Sequence, residues 1–184
     1  MNESGFSHLT FPEHVVIIDQ ISAECRDSET VTITERIQAI ADHAFRGCSH
    51  LKGVSIPDSV TRIGEFAFCD CADLADVRLP RGLKTLPSHM FFGCAKLEEI
   101  AIPGGVTAIG SHAFVECLRL RRVSIPGSVT LIGAHAFNGC TALEEFIPGN
   151  GLVKIKSCAL HKCTGLRRVL LPETLRYIEE STFA

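Results

Sequence analysis

Apolar positions along this chain follow neither the 3.6-residue period of a helix nor simple alternation; they return every 23 residues. Cys48, Cys71, Cys94, Cys117, Cys140 and Cys163 recur at that step. So do Phe45, Phe68, Phe91, Phe114 and Phe137, continued by Leu160 and Phe183, and Ile40, Ile63, Leu86, Ile109, Ile132, Ile155 and Ile178. Whole columns repeating at fixed spacing predict a solenoid, each unit being one turn of a coil with like residues stacked on like.

One unit runs from Leu51 through Val54, Ile56, Pro57, Val60, Ile63, Gly64, Ala67 and Phe68 to Cys71. Val54 and Ile56 alternate with Gly53 and Ser55, which predicts a short strand with two side chains inward and two outward. Pro57 ends it, having no N–H for the ladder. A second extended piece is expected over Val60 to Ile63, and the Ala-Phe-x-x-Cys segment is expected to return the chain as a helical or 3₁₀ turn. No single turn can bury its apolar edge, so stability has to come from stacking. Where Gly64, Gly110 and Gly133 stand in one coil, Pro87, Lys156 and Glu179 stand in others. Proline locks φ near −65°, so glycine in that column is read as a matter of close packing, not of positive φ.

The recurring pattern, L-x-x-[VI]-x-[IL]-P-x-x-[VL]-x-x-I-G-x-x-A-F-x-x-C, resembles the leucine-rich repeat of the BspA-like proteins. Leu51–Cys71, Leu97–Cys117 and Leu120–Cys140 carry it clearly, and Leu74 onward keeps it with Leu86-Pro87 and Met90-Phe91. The resemblance covers residues 31 to 184. It implies a right-handed leucine-rich-repeat horseshoe, with short parallel strands on its concave side and turns and extended pieces on the convex side. It also implies roles in adhesion or protein recognition, without naming a partner.

The organisation expected is an amino-terminal cap and degenerate first coil over residues 1–30, then a solenoid of six to seven coils over 31–184. Val31, Ile33 and Ile37 keep phase, and Cys25 lies one period before Cys48, but Thr34 replaces proline and Ser28 replaces leucine. The run Val15-Val16-Ile17-Ile18 is expected to cover the first coil, with residues before Phe11 mobile. Pro148 comes one residue early and Gly149-Asn150-Gly151 restores register by Ile155, predicting a shortened strand and a wider turn. The chain stops at Phe183-Ala184 in mid-coil without a polar terminal unit, and we expect the native polypeptide to continue.

With 184 residues, 46% apolar content and a net charge of −3, the chain has no global field to attract nucleic acid. No run approaches the roughly 20 apolar residues of a membrane span, and the amino terminus lacks a signal-peptide pattern. As given, the chain reads as cytoplasmic; the family resemblance points to a cell surface if it is a fragment. Phosphate loops, zinc-protease motifs and nucleophile elbows are absent from the sequence, so neither catalysis nor a cofactor is expected. The cysteines read as small apolar thiols filling a buried column.

Candidate chemistry lies in two outward columns: Lys52-Gly53, Ala75-Asp76, Glu98-Glu99, Arg121-Arg122, Glu144-Glu145 and Arg167-Arg168. From Glu98 onward the sign alternates coil by coil. Strands about 4.8 Å apart let such charges pair across the face as a solvated ladder. The same face, with Arg78 and Leu170, is the expected contact for a protein partner; the alternative is a structural or adhesive spacer in a larger cell-surface protein. Partner-binding candidates are Asp76, Arg78, Glu98, Glu99, Arg121, Arg122, Glu144, Glu145, Arg167 and Arg168. His43, His89, His112 and His135 share a further column. No carboxylate lies in matched register to complete a metal site there, so the column reads as half-exposed rings that repel when protonated.

Overall fold

In the computed structural model, which describes residues 8–19, 21 and 27–184, the repeated units are successive turns of one parallel β-solenoid. Each turn contributes two short strands. The odd-numbered set is β1 (His8–Thr10), β3 (Thr30–Thr32), β5 (Gly53–Ser55), β7 (Asp76–Arg78), β9 (Glu99–Ala101), β11 (Arg122–Ser124), β13 (Glu145–Phe146) and β15 (Arg168–Val169). The even-numbered set is β2 (Ile17–Ile18), β4 (Ala39–Ile40), β6 (Arg62–Ile63), β8 (Thr85–Leu86), β10 (Ala108–Ile109), β12 (Leu131–Ile132), β14 (Lys154–Ile155) and β16 (Tyr177–Ile178). Pairing is in register with the repeat: Val54 faces Val77, Ile100 faces Val123, and Ile109, Ile132, Ile155 and Ile178 follow one another.

The expected helical or 3₁₀ return segment is not there. No described residue is helical; hydrogen-bonded turns take its place. The reason is local. His43, Phe66, His89, His112, His135, Cys158 and Ser181 all have φ between 53° and 60°, and four residues on Gly47, Asp70, Gly93, Glu116, Gly139 and Lys162 are left-handed too. Two left-handed residues four apart break any helix, at a cost of roughly 1–2 kcal/mol for each side chain other than glycine. A third inter-coil ladder offsets that cost. The amides of His135, Phe137 and Gly139 donate to the carbonyls of Ser157, Ala159 and His161 in the next coil, while those of Ala136, Asn138 and Cys140 bond back within their own turn.

Inside, Phe45, Phe68, Phe91, Phe114 and Phe137 are fully buried and stacked at centroid spacings of 5.0–5.8 Å. The cysteine column has a role beyond filling space. The thiols of Cys71, Cys94, Cys117, Cys140 and Cys163 each donate, at 3.1–3.2 Å, to the carbonyl of the column phenylalanine one coil earlier. Valine or alanine could not make that bond. Among the described cysteines Cys48 departs from the free-thiol expectation, being disulfide-bonded.

Gly64, Gly110 and Gly133 lie outside the left-handed region and press against the preceding coil, as the column's proline and lysine implied. A Cβ on Gly133 would sit 2.5 Å from the Ser111 amide nitrogen and 2.7 Å from the Gly110 carbonyl carbon. Gly133→Ala should therefore cost about 1–3 kcal/mol in urea unfolding. Gly104→Ala, with open space around the new methyl, should cost nothing resolvable; equal losses at both sites would remove the packing explanation.

At the register slip β13 is two residues long, and the restoring turn is tightly seated. A Cβ on Gly151 would run into the Gly127 carbonyl oxygen. His8–Thr10, expected to be mobile, instead forms β1 beside β3, with the His8 ring bonded to Thr30 Oγ1 at 2.6 Å and Thr32 Oγ1 at 3.1 Å. The expectation about Cys25 lies outside the described residues.

Candidate functional site

All ten residues singled out from the sequence are exposed and stand on, or immediately before, β7, β9, β11, β13 and β15. The backbone fixes their pitch: the Glu98 carbonyl accepts from the amides of Arg121 and Arg122, and the Glu144 carbonyl from those of Arg167 and Arg168. The expected charge ladder is only half formed. In the second column Arg122 Nη1 meets Glu99 Oε1 at 3.4 Å and Arg168 Nη1 meets Glu145 Oε1 at 3.5 Å. These pairs coincide with the strand pairings β9–β11 and β13–β15; across the unpaired β11–β13 step Arg122 and Glu145 form no ion pair.

In the first column Glu98, Arg121, Glu144 and Arg167 form no ion pair among the described residues. Asp76 and Arg78 form none either. Short ion pairs elsewhere join Lys96 to Asp73 and Lys154 to Glu179, each at 2.6 Å. Those lysines hold the Asp73 and Glu179 carboxyls below the usual carboxylate range. One partner on the odd-strand face escaped sequence reading: Lys52 Nζ lies 2.7 Å from Glu29 Oε2. Glu29 stands one period before Lys52, a signal hidden by the degeneracy of that coil.

The histidine column is a continuous stack. His43, Phe66, His89, His112 and His135 follow at 4.8, 4.2, 4.5 and 4.8 Å, with interplanar angles of 14° or less. Imidazole lone pairs lie in the ring plane, so parallel stacked rings cannot converge on one ion. Among the described residues no group of three or more His, Cys, Asp or Glu side chains could hold a metal. The buried Nδ1 atoms of His43, His89 and His112 have no hydrogen-bond partner.

Burial lowers the pKa of His89, and burial together with the neighbouring His89 and His135 lowers that of His112. A depressed folded pKa means that the unfolded chain binds more protons. Stability is then full above the unfolded histidine value of about 6.5 and is lost as pH falls through it towards the folded values. We expect a thermal midpoint level from about pH 8 to 7 and falling from about 7 to 5. His112→Phe, the residue type already at Phe66, should shrink that fall; an unchanged profile would show that the stack does not titrate.

The column thiols offer no nucleophile. Burial pushes Cys163 up to about 12 and holds Cys94 and Cys140 well above the ordinary thiol range. Cys69 is raised to about 12 by burial and by its hydrogen bond to Asp70.

A family model described as the BspA type leucine rich repeat region matches the chain in six copies, over residues 1–121 and 107–184. Among solved structures, the T. pallidum leucine rich repeat protein is 30% identical, with a TM-score of 0.76 over 95% of this chain and 74% of that one. A Bacteroides ovatus leucine-rich repeat protein is 24% identical, with a TM-score of 0.62 over 97% of this chain and 64% of the other. A Faecalibacterium prausnitzii leucine rich cell surface protein is 25% identical, with a TM-score of 0.56 over 75% and 58%. The chain thus spans less than two thirds of the latter two proteins. No curated protein matches it significantly.

Proposed function

Because this chain belongs to the BspA-type leucine-rich repeat family, we propose that it is a non-enzymatic interaction module that engages a protein partner through the odd-strand face from β7 to β15. The observation that carries this reading is the first charged column, where Glu98, Arg121, Glu144 and Arg167 are exposed on a rigid ladder with no ion-pair partner of their own. Charges held at fixed pitch and left unpaired select a partner by complementarity more than they stabilise the fold. The protonated, buried thiols and the parallel histidine stack support the non-enzymatic part. Among the described residues no helix is long and apolar enough to cross a membrane.

The second reading is a spacer or adhesive segment of a longer cell-surface protein. It is favoured by the chain's partial coverage of the B. ovatus and F. prausnitzii proteins. Affinity capture separates the two, comparing the parent with the variant Arg121→Glu, Arg122→Glu, Arg167→Glu, Arg168→Glu, once circular dichroism shows both folded. An interaction module loses its partner in the variant. A spacer captures the same proteins with either chain, or none with either.

A further inference from the structure

The unpaired column has a symmetry of its own. Read along the solenoid, Glu98, Arg121, Glu144 and Arg167 alternate in sign, and the same series read backwards places an arginine opposite each glutamate. A two-fold axis lying in the face, parallel to the strands and midway between the Arg121 and Glu144 coils, reverses coil order and keeps each column in place. It sets Glu98 against the partner copy's Arg167 and Arg121 against its Glu144. The second column obeys the same rule, pairing Glu99 with Arg168 and Arg122 with Glu145. The other in-plane two-fold, along the solenoid axis, would bring like charges together.

We propose that this face binds a second copy of the same chain, face to face and with the solenoids antiparallel. The inference rests on the reading of the odd-strand face as an interaction surface, and names its partner. A closed two-fold interface requires a self-complementary patch, and this one is complementary at all eight positions. Pitch favours a copy over another protein, because both faces carry their charges at the same strand spacing of about 4.8 Å and stay in phase over four coils. The residues with no internal ion pair are the first-column four, so no existing pair has to break for them to engage. Outward of the charges, Ile147 and Leu170 are 41% and 49% exposed. The same axis seats them against Ser124 and Ala101 of the copy, adding apolar contact at both ends.

The patch is small. Four strands of about three residues cover roughly 10 Å by 20 Å, far below the about 800 Å² per partner of an ordinary stable complex. The dimer should therefore be weak and salt-sensitive, with rim charges screened beyond a Debye length of about 8 Å at physiological ionic strength. Self-association of this kind is a low-affinity device that gains strength when many copies are displayed together.

Sedimentation equilibrium of the chain at about 50 mM salt is the test, with concentrations up to about 1 mM. Two charge-uniform variants accompany the parent: Arg121→Glu with Arg167→Glu, and Glu98→Arg with Glu144→Arg. All four positions are exposed, and circular dichroism checks the fold of each variant. The parent should dimerise. Each variant alone should associate at least about tenfold more weakly, and an equimolar mixture of the two should recover a dimer. A parent that stays monomeric throughout, or variants that dimerise as the parent does, would overturn the proposal. A monomeric parent that nevertheless captures another protein in an Arg-dependent way would overturn self-association alone and leave the interaction-module reading standing.

Discussion

Excising residues 97–119 as one block should leave a folded, shorter solenoid, whereas excising residues 97–107 should abolish cooperative folding. The first cut removes one full period and joins Lys96 to Leu120, so every column closes up: Cys94 meets Cys140, and Phe91 meets Phe137. Since each coil touches only its neighbours, stability falls by one coil and one interface while the remaining contacts keep their partners. The second cut shifts everything downstream by eleven residues and puts Phe114 where a strand-ending proline belongs. No ladder then continues across the junction. Urea unfolding followed by circular dichroism reads the difference: a single sigmoid with a smaller m-value for the first, no transition for the second. Equal tolerance of both cuts would contradict stacking in register as the source of stability.

Phe114→Ala should destabilise the solenoid more than Gly133→Ala or any substitution at an exposed position. The Phe114 ring is fully buried between Phe91 at 5.6 Å and Phe137 at 5.2 Å, in a column whose backbone is held by ladder bonds on both sides. A stack pinned at this spacing has little freedom to collapse into the space left behind. The expected loss is about 3–5 kcal/mol, a large part of the 5–15 kcal/mol typical of a whole domain. At this chain length that corresponds to a thermal midpoint lower by roughly 6–20 °C. Leu118→Ala in the same coil removes a side chain that is 48% exposed and should stay within about 0.5 kcal/mol. A Leu118→Ala loss matching that of Phe114→Ala would mean that burial is not what sets the cost.

Much of the fold is legible in the sequence because stacking in register forces every buried position to recur. The 23-residue step by itself locates the inward strand residues, the phenylalanine stack and the cysteine column. Pro87 and Lys156 in the glycine column likewise tell packing from positive φ. The return segment misleads for a physical reason: Ala-Phe-x-x-Cys has good helical composition, and histidine or phenylalanine gives no sign of adopting φ near +57°. Only inter-coil hydrogen bonding, a tertiary effect, stabilises that conformation. A trace is present in Gly47, Gly93 and Gly139, which mark every second coil of the other left-handed column, but Asp70, Glu116 and Lys162 between them obscure it.

The charged face is legible in its positions and not in its pairing. Sequence spacing puts ten charged residues on one surface. It does not say that Glu99–Arg122 and Glu145–Arg168 close where strands pair while the adjoining column stays open. That distinction depends on side-chain geometry at exposed sites, where an ion pair is worth only about 0–1 kcal/mol and small differences in strand approach decide it. The open column is the feature on which the functional reading turns.

Carboxyl footprinting of the complex with a captured partner tests that reading most directly. Glu98, Glu99, Glu144 and Glu145 lie on the odd-strand face, while Glu65, Glu116 and Glu180 are exposed elsewhere on the solenoid. Carbodiimide labelling read by mass spectrometry should fall sharply at Glu98 and Glu144 when partner is bound and stay unchanged at Glu65, Glu116 and Glu180. Protection confined to the latter three, with Glu98 and Glu144 labelled as in the free chain, would place recognition on another surface and contradict the account.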